Sequence, residues 1–248
     1  MVDNPLIAAL PSRERQRLLA VCAPVSLHAG ELLVDGGEPL RQLHFPCGAT
    51  VALMVQVDGH PAMAAGMVDC DGLPGLALLP PASAGSVLPS APWRMQVQTP
   101  GQAWRVTLAE LRQVLDQSPA LQRGLGHHAL DLVVALARNA ACARFHQIGP
   151  RLARWILMTQ DSAQADSFAL THALLADMLG VRRVGITVAA GALQASGLIA
   201  YHRGRLGVVD RAGLALAACG CYRADRAQAA RSGLSCAPRA GSSPPSHP

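Results

Sequence analysis

Short apolar runs alternate with turn residues through the first half of the chain. The runs lie at 31–35, 43–45, 49–57 and 94–98, and Gly, Pro or an Asp-Gly pair follows each of them. Regularly spaced short strands with such punctuation are typical of a small β-barrel or β-roll. Residues 5–23 have a helical pattern, so the sequence predicts a β-roll with a short helical lead-in.

The pattern changes to helical spacing at Thr107. Thr107 and Glu110 have the spacing of a capping box, in which hydroxyl and carboxylate each accept a hydrogen bond from a free backbone N–H. A short helix to about residue 117 follows. After Ser118-Pro119 the pattern predicts a second helix to about residue 145, roughly 40 Å long at 1.5 Å per residue.

One face of this long helix repeats every seven residues and predicts a dimer seam. Heptads of apolar or small side chains are typical of paired helices, and an asparagine among them can set the register. The alternative is that the same face packs on the β-roll of its own chain. The predicted dimer-forming residues are Leu121, Leu125, His128, Leu132, Ala135 and Asn139.

Residues 171–191 have the pattern of a helix-turn-helix. Two short helices that meet at a steep angle need a small residue at the crossing and a permissive residue at the turn. Ala176 and Gly180 supply these, because glycine tolerates positive φ, and Ile186 is the apolar residue six positions after the glycine. A generic helical hairpin is the alternative interpretation.

A strand, a tight Arg203-Gly204 turn and a second strand follow at 197–210, as in the wing of a winged helix. Arg203 and Arg205 at the tip, with His202 beside them, could reach phosphate oxygens. The domain boundary is predicted at Gly149-Pro150, because Pro150 fits the first turn of a helix at 151–159.

Charge is distributed unevenly along the chain. All 21 basic residues are Arg. Residues 1–143 contain 9 Arg and 11 acidic residues, residues 144–222 contain 8 and 4, and residues 223–248 contain 4 and 1. The net charges of the three segments are therefore −2, +4 and +3. An acidic front and a basic rear suggest that one domain meets a polyanion. There is no apolar run of the roughly 20 residues that a membrane span needs and no signal-peptide pattern, so we expect a cytoplasmic protein without a membrane partner.

Three segments together resemble the Crp/Fnr family of bacterial transcription regulators: 151–157, 170–183 and 197–204. The resemblance covers roughly residues 5–222. It implies that the second motif helix, about 182–196, enters the major groove of double-stranded DNA. The DNA-contacting positions that follow are Thr171, Arg182, Arg183, Val184, Thr187, Val188, His202, Arg203 and Arg205. Valine stands at 184 and 188 where many relatives carry an acid, so the usual half-site of the family does not carry over.

No effector or cofactor follows from the sequence. Residues 71–92, where cyclic-nucleotide-binding relatives have a glutamate and an arginine, contain neither, so cyclic AMP binding is not expected. Cys22 is the only cysteine before Cys47, which disfavours an N-terminal iron-sulfur cluster. His127-His128 could form a haem or pH-sensitive site, or could be ordinary helix positions.

The remaining cysteines give no predicted metal site and, with seven in irregular spacing, no disulfide framework. Cys142 and His146 are one helical turn apart, and Cys219 and Cys221 form a close pair. Neither pair comes with the other ligands that a metal needs.

The sequence therefore predicts an α+β protein with a β-roll sensor domain at 1–118, a dimerisation helix at 119–148, a winged helix-turn-helix at 149–222 and a disordered tail at 223–248. The leading hypothesis is a homodimeric, sequence-specific DNA-binding transcription regulator, with RNA polymerase as a candidate further partner. The alternative is a ligand-binding β-roll module that acts through a protein partner. An enzyme is not expected, because there is no phosphate-cradling glycine loop, nucleophile elbow or HExxH pair.

Overall fold

The apolar runs of the first half form antiparallel strands in a computed structural model of the chain, which describes residues 4–70, 72–76, 89–163, 165–202 and 204–232. The strands of this half are β1 (Ala23–Leu27), β2 (Leu32–Val34), β3 (Gln42–Cys47), β4 (Thr50–Val55), β5 (Met63–Val68), β6 (Arg94–Thr99) and β7 (Gly101–Thr107). They make two sheets, one ordered β1-β7-β3 and the other β2-β6-β4-β5. The predicted β-roll is confirmed.

A buried asparagine helps to tie the helical lead-in to the roll. Two helices form it, α1 (Pro5–Ala8) and α2 (Ser12–Ala20). Asn4 Oδ1 accepts from the Leu6 N–H at 3.1 Å and so caps α1. The side-chain amide of Asn4 donates to Pro46 O at 3.0 Å, at the end of β3. Capping and tethering by one residue hold the start of the chain on the core.

The predicted capping box begins α3 (Leu108–Leu115) as expected. Thr107 Oγ1 accepts from the Glu110 N–H at 3.2 Å, and Glu110 Oε2 accepts from the Thr107 N–H at 3.2 Å. The long helix α4 then runs from Pro119 to Phe145 over 27 residues. Among the helices in the described ranges, none combines the length and apolar character of a membrane span.

The face of α4 that we predicted as a dimer seam is covered by its own chain. Leu121, Leu125 and Leu132 are buried in the core of the β-roll, and His128 is buried beside Leu73. Side chains in an intrachain core are not available to a partner, so the assignment is wrong for these four. The alternative, packing of this face on the β-roll, is correct.

The last two predicted seam residues differ in their surroundings. Ala135 is only partly buried. The Asn139 amide donates to Ala65 O of β5 at 2.7 Å and to Ala64 O at 3.2 Å, while its Oδ1 accepts from Arg154 at 2.9 Å. Its hydrogen-bonding groups are occupied, so Asn139 is not free to pair with a symmetry mate.

The C-terminal half has a second core of its own. Its elements are α5 (Ile148–Ala163), β8 (Ser167–Ala169), α6 (His172–Leu179), α7 (Arg183–Ala195), β9 (Ile199–His202), β10 (Arg205–Val208), α8 (Arg211–Ala217) and α9 (Cys221–Ser232). The strands form a sheet ordered β8-β10-β9. Ala52, Met54 and Ala64 of the β-roll join this core, so the C-terminal unit packs on the sheet that contains β4 and β5.

Helix α9 corrects the prediction of a disordered tail from residue 223. Its composition is polar, but Asp225 forms ion pairs with Arg138 and Arg154. Further along, the Gln228 amide donates to Asp131 Oδ1 of α4 at 2.8 Å. Polar contacts with α4 and α5 stabilise a helix that its own apolar content would not. Residues 233–248 lie outside the described residues.

Candidate nucleic-acid interface

Two helices of the C-terminal unit meet at a glycine turn. Thr171 Oγ1 accepts from the Leu174 N–H at 3.1 Å and caps α6. The helix ends at Gly180, whose φ of 63° and ψ of 42° are left-handed. This conformation favours glycine, because a Cβ atom would be penalised there. Ala176 is buried, as predicted for the small residue of the motif. The predicted helix-turn-helix is confirmed.

Helix α7, the second helix of the motif, has one buried and one exposed face. Ile186, Ala189 and Leu193 pack into the core. On the opposite side Val184 is 67% exposed and Val188 is 68% exposed. Two large apolar side chains one turn apart on a helix surface indicate a binding site rather than a solvated face.

The start of α7 carries two arginines. Arg182 is the N-cap residue and Arg183 the first helical residue, and both are exposed. In the described part of the chain no carboxylate forms an ion pair with either. The positive end of the helix dipole adds to their charge. This end of α7 is therefore suited to an anionic ligand.

Thr187 is exposed on the same face, but its hydroxyl is engaged within the chain. Thr187 Oγ1 donates to Arg183 O at 3.1 Å and lies 3.1 Å from His172 Nδ1. Since the hydroxyl proton is used on Arg183, the His172 ring nitrogen is the donor in the second contact. The methyl group of Thr187 is then the part left for a ligand.

The strands β9 and β10 form the predicted wing. They pair antiparallel with Arg205 opposite His202, and both residues are exposed. Gly204 in the turn has a φ of 77°. The Arg205 guanidinium makes only long contacts, at 3.4 Å, with the backbone oxygen and hydroxyl of Ser167. Arg203 lies outside the described residues, so its predicted role is not tested.

A buried arginine holds the motif on α5. Arg151 is 8% exposed, and its guanidinium donates to Leu179 O at the C-terminal end of α6. A cation at this end complements the helix dipole. Burial lowers the pKa of Arg151 from its usual value. The sequence pattern did not single out this residue, because an arginine within a helix is ordinarily a surface position.

Residues 150–217 match the family model of the Crp-like helix-turn-helix domain. The C-terminal unit therefore contains a Crp-like helix-turn-helix domain. No curated protein sequence matches the chain.

Three solved structures share the fold of the chain at low identity. The c-di-GMP-responsive global regulator CLP of Xanthomonas campestris has a TM-score of 0.64 and 16% identity, with 80% of this chain and 99% of that chain covered. FixK2 of Bradyrhizobium japonicum has a TM-score of 0.65 and 14% identity, with 81% of this chain and 98% of that chain covered. A CRP/FNR family regulator of Thermus thermophilus has a TM-score of 0.62 and 21% identity, with 79% of this chain and 98% of that chain covered.

The Crp-like helix-turn-helix domain and the shared fold confirm the predicted function class. The chain is a DNA-binding transcription regulator with an α+β fold, and the matches are to transcription regulators rather than to enzymes. Its effector stays open. Asp71 and residues 77–88 lie outside the described residues, so the expectation that cyclic AMP does not bind stays a prediction.

The two adjacent histidines of α4 have different surroundings. His127 is exposed. His128 is buried, and its Nε2 accepts from the Leu73 N–H at 3.2 Å. Burial lowers the pKa of His128 from 6.5, partly opposed by Asp131 and Asp69. Because Nε2 is already an acceptor for backbone, His128 is placed as a structural residue and not as a haem ligand.

The fold joins the two cysteine pairs that the sequence analysis treats separately. Cys142, His146, Cys219 and Cys221 place their donor atoms within 4.8 Å of one another. The premise that neither pair has further ligands is therefore wrong, since each pair supplies what the other lacks. These four are the candidate metal ligands of the described residues. Cys70 is disulfide-bonded, and the three cysteines of this cluster are free thiols, which is not the disulfide framework that the irregular spacing argues against.

Proposed function

We propose that the chain regulates transcription as a homodimer that binds a two-fold symmetric DNA site. Helix α7 of each protomer would lie in the major groove, and the β9–β10 hairpin would contact the phosphate backbone. The observation that carries the proposal is the exposed face of α7, where Val184 and Val188 are about two-thirds exposed between arginine and threonine. An exposed apolar face beside basic residues suits contact with a partner surface.

Base reading is assigned to Arg183, Val184, Thr187 and Val188. Arginine donates two hydrogen bonds to guanine, and valine or threonine methyl groups contact the methyl of thymine. The free guanidinium of Arg183 and the engaged hydroxyl of Thr187 support these roles. Arg182, at the N-cap of α7, is assigned to the groove edge.

Phosphate contacts are assigned to His202, Arg203 and Arg205 on the wing and to Thr171 before α6. The Thr171 oxygen accepts a backbone N–H, so its own proton is available to a phosphate oxygen. Contacts of this kind fix register on the duplex but carry no sequence information.

The dimer interface is assigned to the side of α4 that faces away from the β-roll. Leu130 is 66% exposed and Val133 is 61% exposed, and Val134 beside them is also exposed. Ala137 and Ala141 continue the stripe. Spacings of three and four residues along a helix make one apolar strip, which is the pattern of paired helices. This strip replaces the seam that the core covers.

Leu130→Glu with Val133→Glu tests the dimer. The double variant should be monomeric in sedimentation, because like charges would meet across the two-fold axis. Leu216→Glu is the matched control, since Leu216 is 83% exposed on α8 and outside the strip. A dimer that persists in the double variant would exclude this interface.

Arg183→Ala and Arg205→Ala test the two kinds of DNA contact. Arg183→Ala should lose about 1–3 kcal/mol on the cognate duplex and little on a scrambled one. Arg205→Ala should weaken both alike and reduce the slope of log affinity against log salt by about one unit. Exposed Arg13 on α2 gives the control Arg13→Ala, which should change neither.

If wild-type chain shows no salt-dependent preference for any duplex, the proposal fails. The function that then fits the fold is action of the β-roll on a protein partner. A regulator bound at a promoter meets RNA polymerase, which we include among the proposed partners. In bacteria this function would be exercised in the cytoplasm, where the DNA lies.

A further inference from the structure

Four metal-binding side chains from two distant parts of the chain meet beside the junction of α4 and α5. Cys142 Sγ and Cys219 Sγ are 3.6 Å apart, although 77 positions separate them. Cys221 Sγ and His146 Nδ1 are 3.7 Å apart. In a tetrahedral site with metal-sulfur bonds of about 2.3 Å, neighbouring donor atoms lie about 3.8 Å from each other. These two donor pairs have this separation, and all four donor atoms lie within 4.8 Å of one another.

We propose that Cys142, His146, Cys219 and Cys221 bind one Zn²⁺ ion per chain. Thiolate and imidazole are preferred ligands of Zn²⁺, and three cysteines with one histidine are a known structural ligand set. Four protein ligands close the coordination sphere, which indicates a structural site. All four donor atoms lie within 4.8 Å of one another, which suits a single ion, whereas an iron-sulfur cluster spreads its cysteines over two or more irons.

Backbone hydrogen bonds hold the ligand-bearing segments in place. The His146 N–H donates to Cys142 O at 3.1 Å, so the two ligands of α4 share one side of its last turn. The Cys219 N–H donates to Pro150 O at 3.2 Å in the first turn of α5, and the Tyr222 N–H donates to Cys219 O at 3.0 Å. The ligand positions are thus set by the fold, which lowers the entropic cost of binding a metal.

The surrounding charge fits an anionic metal site. Three thiolates and one Zn²⁺ ion carry a net charge of −1. Arg154 is 3% exposed, forms an ion pair with Asp225 and interacts electrostatically with Cys142. Arg151 is also buried and interacts with Cys142 and Cys219. Interactions around metal ligands orient them and tune the metal, and two buried cations suit a site of net negative charge.

Access and position suggest what the ion does. His146 is exposed and Cys221 is partly exposed, so the ion can enter from solvent. The ion would join the end of α4 to the segment between α8 and α9. It would thereby fix the C-terminal unit relative to α4 across the short junction before α5. The effect on DNA binding rests on the proposed function, but metal binding itself does not.

Metal content of the purified full chain tests the site. After incubation with zinc sulfate and removal of free metal, inductively coupled plasma mass spectrometry should find one Zn per chain. His146→Ala with Cys221→Ser should abolish it. These two side chains are the most exposed of the cluster, so the variant should fold, which circular dichroism checks. Cys22→Ser changes a free cysteine outside the cluster and should keep the full metal content.

Three results would overturn the proposal. One is a folded wild-type chain that binds no zinc after reduction with a metal-free reductant. Another is zinc that is retained in the His146→Ala, Cys221→Ser variant. The third is a Cys142–Cys219 disulfide in the metal-free chain that re-forms in the presence of zinc, which would make the cluster a redox pair instead. Co²⁺ in place of Zn²⁺ should give the absorption bands of a tetrahedral thiolate site.

DNA binding separates this proposal from the proposed function. We expect the zinc-free variant to melt at a lower temperature and to bind the cognate duplex more weakly than the Cys22→Ser control. Unchanged DNA affinity after loss of zinc would overturn the positioning role. If the zinc-loaded chain binds no duplex specifically, the proposed function fails while the metal content still supports the site.

Discussion

The helices α4 and α7 both carry two apolar stripes, and they differ in which stripe the fold covers. In α7 the small and branched residues that the motif demands are buried, and the two valines on the other side are free. In α4 the richer stripe, with Leu125 and Leu132, lies in the β-roll core, and the poorer one, with Leu130 and Val133, is exposed. Apolar content alone therefore does not identify an interface. What matters is which side the rest of the chain already covers.

Neighbouring residues on α4 give the strongest test of this difference. Leu132 is 5% exposed and Val133 is 61% exposed. Leu132→Ala should lower the free energy of unfolding by about 2–5 kcal/mol, because it leaves a cavity in the core. Val133→Ala should change the stability of the monomer by less than about 0.5 kcal/mol. Urea unfolding measures both free energies when the protein concentration is below the dissociation constant of the dimer. Equal losses of stability in the two variants would contradict the assignment of the two faces.

The helix-turn-helix was predictable because its determinants are close in sequence. Ala176, Gly180 and Ile186 lie within eleven residues of one another, and the turn depends on a backbone conformation that favours glycine. The Thr107–Glu110 capping box was predictable for the same reason. The free face of α4 was not, because it depends on the position of β-roll strands that are distant in sequence.

His127 and His128 extend the comparison of the α4 faces to pH. The lowered pKa of buried His128 means that the folded chain binds fewer protons than the unfolded chain below the unfolded value of 6.5. The contribution of His128 to the free energy of unfolding is complete above pH 6.5. It is lost as pH falls, by up to about 1.4 kcal/mol per pH unit. His128→Gln keeps an acceptor for Leu73 and should reduce this loss. His127→Gln should not, and identical pH profiles of the two variants would contradict the buried role.

The metal ligands and α9 could not be predicted, because they depend on contacts between distant segments. Cys142 and Cys219 are 77 positions apart, and each pair alone lacks half of a coordination sphere. Helix α9 is polar, and its stability depends on Arg138 and Arg154, which lie on other helices. Composition describes a segment by itself and does not report the partners that the fold brings to it.

The smallest expected effect concerns the free valines of α7. Where Val188 contacts a thymine, replacing that base with uracil should cost about 0.8 kcal/mol, the value of one buried methylene-sized group. In the Val188→Ala variant the same base replacement should cost little, because the contact between the valine side chain and the thymine methyl group is already absent. Anisotropy titrations of the four combinations measure the coupling. Additive losses would show that Val188 does not contact the methyl group.

Selection of binding sites from random duplexes by the full-length wild-type chain tests the central claim most directly. The account predicts an enriched palindrome whose half-sites are centred about one helical turn, roughly 10 base pairs, apart, because two α7 helices related by a two-fold axis read it. Arg183→Ala should lose preference at one base pair of each half-site. Recovery of duplexes without a common sequence, dependent only on salt, would contradict the account.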